Sequence, residues 1–276
     1  MNISVLIFTK DEEIHLPRCL SSVSGSDDIV VVDSFSEDRT RDIAGQVGVR
    51  FVQHAFTGFG DQRSWALENI PLKNSWALIL DADEVVPPEL WDEMTRKIAE
   101  VSPETSAFRL RRRFFWQKKW VPRSSQYPSW VVRLVQVGKV RFINRGHSET
   151  QLVEGETGAL SGDLIDENLK GVPAFRERQR SYAAAEARHE LNAGMRFKAR
   201  NLFSADPLIR RANAKALFSI VPMRGFFFWL YLYLYRGGVL EGLRGLELCL
   251  EKARYQSQIA KYKRQFKAEE NAGHTH

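Results

Sequence analysis

The residues with the clearest chemical potential are Asp81-Ala82-Asp83-Glu84, which directly follow the apolar run WALIL. Two carboxylates separated by one residue at a strand end can face one divalent cation. Mg²⁺ and Mn²⁺ take hard oxygen ligands, commonly one or two carboxylates together with substrate phosphates. Such a metal neutralises a phosphate leaving group. Read alone, the same four residues are better explained as an acidic turn capping the next helix. Two further polar clusters follow apolar runs: Thr9-Lys10-Asp11-Glu12-Glu13 and Asp33-Ser34-Phe35-Ser36-Glu37-Asp38-Arg39-Thr40. A carboxylate at the second of these can accept from a base N–H or a ribose hydroxyl, while Ser34 and Ser36 serve equally well as helix caps.

The elements needed to position these clusters are legible. Residues 3–8, 28–32, 49–53 and 76–80 are short β-rich apolar runs, as expected of strands covered on both faces of a parallel sheet. Helical patterns lie between them at 12–23, 39–47 and 62–69, and Pro87-Pro88 opens another at 89–101. Pro17 sets the first of these helices to begin near it. Alternation of this kind means βαβ units, and ligands then gather at the carboxyl ends of the strands, where the polar clusters are. Residues 107–113, 131–135 and 140–143 read as strands of a loop-rich, mixed-sheet extension. From Pro173 the pattern is helical, over 175–197, 206–217 and 226–263 with a break at Arg236-Gly237-Gly238.

The 276 residues are 43% hydrophobic and 27% charged, which supports a packed core and excludes wholesale disorder. Cys19 and Cys249 are too few for a disulfide framework or a four-thiolate zinc site. The opening MNISVLIFTKDEE has no basic stretch before its apolar run and reads as a first strand, not a signal peptide. The net charge of +6 combines −5 over residues 1–169 with +11 over 170–276. An acidic front and a basic back suggest two jobs, the back favouring an anionic surface.

Residues 226–235 (FFFWLYLYLY) form a run half the length that a transmembrane helix needs, which is about twenty residues. Its tyrosines and tryptophan suit a membrane interface, and Arg210, Arg211, Lys215, Arg224, Arg236 and Arg244 suit anionic headgroups. A helix dipping into or lying on one leaflet is the expectation; a core helix or an oligomer contact is the alternative. The aromatics cluster with aliphatics instead of alternating with basic residues, which argues against nucleic-acid binding. The Asp81/Asp83 pair argues against a non-catalytic scaffold.

Taken together, VLIFTKDEE, VVVDSFSEDRT, GFGDQRSWAL and WALILDADE resemble glycosyltransferase family 2, the inverting nucleotide-sugar enzymes of the GT-A fold. The resemblance covers about the first hundred residues and is nearest the lipopolysaccharide-core type of glucosyltransferase, with TKNEE, DSGSTDGT, QKNWAL and LDADE. This chain departs from that pattern at Phe35 and Arg39, where glycines are usual, and at Ser64, where asparagine is usual.

The resemblance implies an α/β fold with a Rossmann-like GT-A sheet, to which the charge and aromatic pattern adds a helical, membrane-associating C-terminal extension. Residues 1–169 would be the catalytic domain, 1–106 its nucleotide-sugar half and 107–169 its acceptor half, with 170–276 the basic helical region. By position, Thr9, Lys10 and Glu12 would line the nucleotide pocket and Asp33 would hold the base, by resemblance uracil. Gln62 and Arg63 would approach the ribose or diphosphate. Asp81, beside Ala82, would meet the ribose or metal, and Asp83 the Mg²⁺ or Mn²⁺ with its diphosphate.

Inversion requires a general base for the attacking hydroxyl. The related enzymes carry a His-Glu pair where this chain has His147-Ser148-Glu149. Glu149 is the expected base, with Asp163, Asp166 and Glu167 as alternatives, and His147 would complete the metal site or touch the diphosphate. Arg133 matches an arginine in the related enzymes and would support the acceptor or the diphosphate. The basic and aromatic residues at 109–123 could grip a phosphorylated acceptor. The implied partners are a UDP-sugar donor, a lipid-linked or glycolipid acceptor and the inner face of the cell membrane. Transfer to a polyprenyl phosphate, whose acceptor is already anionic and needs no base, is the competing enzyme reading.

Overall fold

The computed structural model describes residues 2–146, 148–192, 198 and 207–273. Its residues fall into two compact units, 1–171 and 172–276. In the first unit, β1 (Ser4–Thr9), β2 (Ile29–Asp33), β3 (Arg50–Gln53) and β4 (Trp76–Asp81) form the parallel part of the sheet. β1 lies between β2 and β4, with Val5 opposite Ile29 and Leu78. Alternation along these strands divides the core. Val5, Ile7, Leu78 and Leu80 pack on one face with Leu16, Leu90 and Met94. Leu6, Phe8, Ala77 and Ile79 pack on the other with Ala66, Leu67 and Ile70. Both faces are covered, which is why the strands read as unbroken apolar runs.

The covering helices are α1 (Leu16–Ser22), α2 (Thr40–Val47), α3 (Phe59–Asn69) and α4 (Pro88–Ala99). α1 starts four residues later than its apolar pattern, with Pro17 in its first turn. α3 starts three residues earlier, because Asn144 supplies its cap: Asn144 Oδ1 accepts from the Gly60 N–H at 2.8 Å. A Cβ on Gly60 would come within 2.4 Å of the Ile143 backbone, so this approach requires glycine.

The sheet continues past β4 through β8 (Ser129–Gln136), β6 (Thr105–Trp116), β11 (Glu156–Glu167) and the short β5 (Glu84–Val85), while β7 (Lys119–Trp120) pairs with β6. A short helix, α5 (Pro122–Ser125), precedes β8. A separate ribbon joins β9 (Val140–Arg145) to β10 (Ser148–Val153). Order over 148–167 exceeds the loop-rich expectation. β11 (ETGALSGDLIDE) is rich in Gly, Asp and Glu, which disfavour strands locally. It forms because β6 offers a partner and because its two glycines fit tight places. A Cβ on Gly158 would meet the Phe108 ring at 2.6 Å, and one on Gly162 would meet Leu90 at 2.9 Å.

The second unit is helical: α6 (Gly171–Asn192), α7 (Pro207–Ile220), α8 (Arg224–Leu230) and α9 (Leu243–Gly273). α8 runs into a π-helical turn, Tyr231–Tyr235, and a 3₁₀ turn, Gly238–Glu241. The break expected at Arg236-Gly237-Gly238 is present, with α8 and α9 separated between Gly237 and Gly242, both at positive φ. The expected helical ends at 193–197 and 206 lie outside the described residues.

Candidate active site

The carboxyl ends of β1, β2 and β4 bring the polar clusters together. Asp33 closes β2, fully buried. Its Oδ1 accepts from the Thr9 hydroxyl (2.9 Å) and the Ser36 hydroxyl, and its Oδ2 from the Ser36 N–H (2.8 Å) and Gln53 Nε2 (3.2 Å). All four acceptor positions of the carboxylate are used. Asp33 therefore organises the 33–36 turn, and a nucleobase could bond to it only by displacing one of these donors. Phe35, where glycine is usual, sits at φ 60 and is exposed, and Lys10 Nζ donates to its carbonyl (2.8 Å). Gln62 donates to the Ser34 hydroxyl (2.6 Å), tying α3 to the same turn. Ser64, in place of asparagine, bridges both backbone groups of Phe142 and so fastens α3 to β9.

Glu12 faces a second knot. Its carboxylate accepts from Lys170 Nζ (2.7 Å) and pairs with His15 Nδ1 (2.5 Å). The Nε2 of the fully buried His15 accepts from the Leu169 N–H (2.7 Å), so Nδ1 carries the ring proton. This ties the start of the chain to the segment after β11. Asn168 in that segment donates to Asp83 Oδ2 (3.0 Å), and Arg18 donates to the Glu167 carboxylate and the Asp83 carbonyl.

At the end of β4, Asp81 lies in an arginine clamp. Arg63 on α3 donates to its Oδ1 and Arg133 on β8 to its Oδ2, both at 2.6 Å. Arg133 also donates to Glu84 Oε1 (2.7 Å), and Glu84 Oε2 accepts from the Asp81 N–H (2.9 Å). Burial alone would raise the Asp81 pKa, but the two guanidiniums override it and hold the carboxyl well below the usual range. Burial raises Glu84, with Arg133 opposing. Burial also lowers Arg63, whereas Asp81 and Glu84 overcome burial at Arg133 and raise it. The other face of Arg63 meets Glu149 on β10 in a close ion pair, and the buried Glu149 Oε2 has no hydrogen-bond partner. Ala82, between the two aspartates, is buried in the core.

Asp166 on β11 is buried and pairs with Arg112 Nε at 3.2 Å. Its pKa is pushed up to about 7, first by burial and then, against the pull of Arg112, by Asp83, Glu84 and Asp81. Asp163 faces elsewhere, between Arg111, Arg113 and the Tyr127 hydroxyl.

The structure thus gathers Arg63, Arg133, Asp81, Glu84 and Glu149 directly, and brings Asp83 and Asp166 within electrostatic reach of the same strand end. It keeps Asp33 in a knot of its own and Glu12 in another. His147 lies outside the described residues. Among the described residues, no three His, Cys, Asp or Glu side chains form a group able to enclose a metal ion. Asp81 has both oxygens committed to arginine. Asp83 and Asp166 are carboxylates, the hard oxygen donors that Mg²⁺ and Mn²⁺ take. Sequence reasoning named Glu84 in the acidic motif but gave it no role of its own, and passed over His15 and Asn168. The signal for Glu84 was Arg133 itself, since a cation in the apolar strand WVVRLVQ needs a buried carboxylate.

The fold is an α/β sheet with its polar clusters at the carboxyl ends of the parallel strands. The sequence model of glycosyl transferase family 2 matches residues 4–161, and the chain belongs to that family. An uncharacterised glycosyltransferase of Rickettsia bellii is 42% identical over 93 residues, 33% of this chain and 31% of that protein. The match to such rickettsial relatives thus spans about a third of their length. The lipopolysaccharide core biosynthesis glycosyltransferase LpsC of Rhizobium meliloti is 24% identical over 213 residues, 75% of this chain and 78% of that protein. The mannosyltransferase PcManGT from Pyrobaculum calidifontis, solved with GDP-Man and Mn²⁺, shares the fold with a TM-score of 0.51 at 14% identity. That alignment covers 95% of this chain and 86% of that one.

Proposed function

We propose that the chain is an inverting glycosyltransferase that moves a sugar from a nucleoside diphosphate, UDP by resemblance, to a hydroxyl of a lipid-linked or lipopolysaccharide-type acceptor. The match to LpsC supports the acceptor class. The reading includes a peripheral position at the inner face of the cell membrane; among the described residues no helix is long and apolar enough to cross one.

The observation that carries the catalytic reading is the Asp81–Arg63–Glu149 arrangement at the end of β4. The acceptor hydroxyl attacks the anomeric carbon, the bond from that carbon to the diphosphate oxygen breaks, and the hydroxyl proton passes to a carboxylate. Glu149 is that base: it is half-buried beside the acidic motif and one of its oxygens lacks a partner. Arg63 is the switch. A donor diphosphate would compete for its guanidinium and release Glu149 to take the proton. A bound Mg²⁺ or Mn²⁺ would supply positive charge to the leaving diphosphate, and Asp83 and Asp166 are the residues that would hold it. Lys10 and Gln62 line the approach to the nucleotide.

The test is Asp83→Asn. UDP-sugar binding in Mn²⁺, followed by calorimetry, should weaken at least tenfold and transfer should be lost, while binding without metal stays unchanged. Wild-type affinity in Mn²⁺, or full wild-type transfer in EDTA, overturns the metal-assisted reading.

A further inference from the structure

Twelve of the twenty large hydrophobic side chains exposed among the described residues fall between Leu217 and Leu250, all in the second unit. They are not an unfinished core. The inward face of the segment is already packed, with Leu232, Leu248 and Cys249 fully buried. A Cβ on Gly225 would lie 2.1 Å from the Ser257 hydroxyl, and one on Gly238 would lie 2.9 Å from the Cys249 sulfur. Arg224 is buried and held by Glu190 and Gln256. The outward residues are therefore fixed in place by the structure beneath them.

The outward face is unusual in its placement. The turn from Gly237 to Gly242 has positive φ at both ends, a position that soluble proteins fill with polar residues. Here it presents Val239 and Leu240, with Leu243 following, and Leu240 and Leu243 are 72% and 78% exposed. Met223, Phe227 and Tyr235 extend the apolar surface along α8 and the π-helical turn. Besides the buried Arg224, residues 210–244 carry five Lys and Arg against one acidic residue, Glu241, which is itself buried.

We infer that this edge is a membrane-insertion surface whose occupant is one leaflet of an anionic phospholipid bilayer. The turn tip and α8 enter the acyl boundary, to about 5–10 Å as interfacial helices do. The tyrosines sit where an apolar ring and a polar hydroxyl are both satisfied, and Arg210, Arg236 and Arg244 meet the headgroups. A second copy of the chain suits the surface less well, because a symmetric interface would bring two sets of like charges together. The inference deepens the reading of a lipid-borne acceptor by naming the surface that meets the lipid, and rests on that reading only for its purpose.

The test is flotation of the full chain with vesicles of neutral phosphatidylcholine, and with vesicles also containing phosphatidylglycerol, at low and high salt. The wild type should float with the anionic vesicles and partly detach in high salt, because salt shortens a Debye length of about 8 Å. Leu240→Asp with Leu243→Asp should lose roughly 100-fold or more in partitioning at either salt, from the lost apolar burial. Both sites are on the exposed tip, so circular dichroism and Mn²⁺-dependent UDP binding should match the wild type. Leu240→Gln with Leu243→Gln should give the same loss, keeping the test independent of the added charge. Flotation unchanged in both variants overturns the inference. So does a wild type that never floats, including one that is a dimer in light scattering and becomes monomeric in the variants. Absence of UDP binding with normal flotation would instead sink the catalytic reading and leave this surface standing.

Discussion

Arg133 is the side chain whose removal should tell most about how the strand end is held. Its guanidinium bridges Asp81 and Glu84 at 2.6 and 2.7 Å, and both Arg133 and Glu84 are almost wholly buried. Arg133→Met keeps most of the volume and deletes the charge. Asp81 retains Arg63, but Glu84 is left as a buried carboxylate with only the Asp81 N–H donating to it. Breaking a buried ion pair by removing one partner costs about 3–5 kcal/mol. For a unit of this size that is roughly 10 °C in Tm, at about 2–4 °C per kcal/mol. The cost should depend on pH. Burial already raises the Glu84 pKa, and losing Arg133 removes the main opposing influence. A carboxyl whose folded pKa is raised contributes stability that is complete below its unfolded pKa and lost as pH rises through the folded one. The variant should therefore be most impaired at pH 8 and recover towards pH 5. Adding Glu84→Gln should restore most of the loss at pH 8. Urea unfolding of the two single variants and the double variant at both pH values measures the coupling. A loss below about 1 kcal/mol, a loss equal at both pH values, or no relief from Glu84→Gln would refute the clamp.

Glu149→Gln should lower kcat by roughly 10²-fold or more with little change in donor affinity, read by steady-state kinetics; near-normal turnover would remove Glu149 as the base and favour an already anionic acceptor. Asp166→Asn should make the metal-free protein more stable at pH 8 relative to pH 4, since a rise from 3.8 to about 7 is worth up to about 4 kcal/mol. The sign follows from a raised carboxyl, which costs stability as pH climbs through its folded value; a pH-independent difference in thermal melts would exclude it.

Much of the parallel sheet was legible because its strands are buried on both faces and the chain announces them as unbroken apolar runs. β11 was not, because its residues satisfy neighbours instead of a pattern: Gly162 makes room for Leu90, and Glu93 on α4 accepts from the Ser161 and Gly162 N–H groups. Such fits are set by distant residues and leave no local period. The start of α3 was misjudged for the same reason, its cap lying 84 residues away in Asn144.

The site shows the same division at finer grain. That Asp81 and Asp83 follow a strand is visible in a linear reading, but what each carboxylate does depends on which cation reaches it. Asp81 and Asp83 are two residues apart and have opposite surroundings. Asp81 is neutralised by Arg63 from α3 and Arg133 from β8. Asp83 accepts from the amide of Asn168 and adds to the repulsion on Asp166. Asp81 is the last residue of β4, whereas Asp83 lies in the turn between β4 and β5, so different elements reach the two carboxylates. The apolar pattern that reveals the strands also fixes this outcome, because it buries α3 against Leu6 and Phe8 and so delivers Arg63 to the end of β4. Moving the clamp to Asp83 would require redirecting both α3 and β8, which no single substitution near the acidic motif can do.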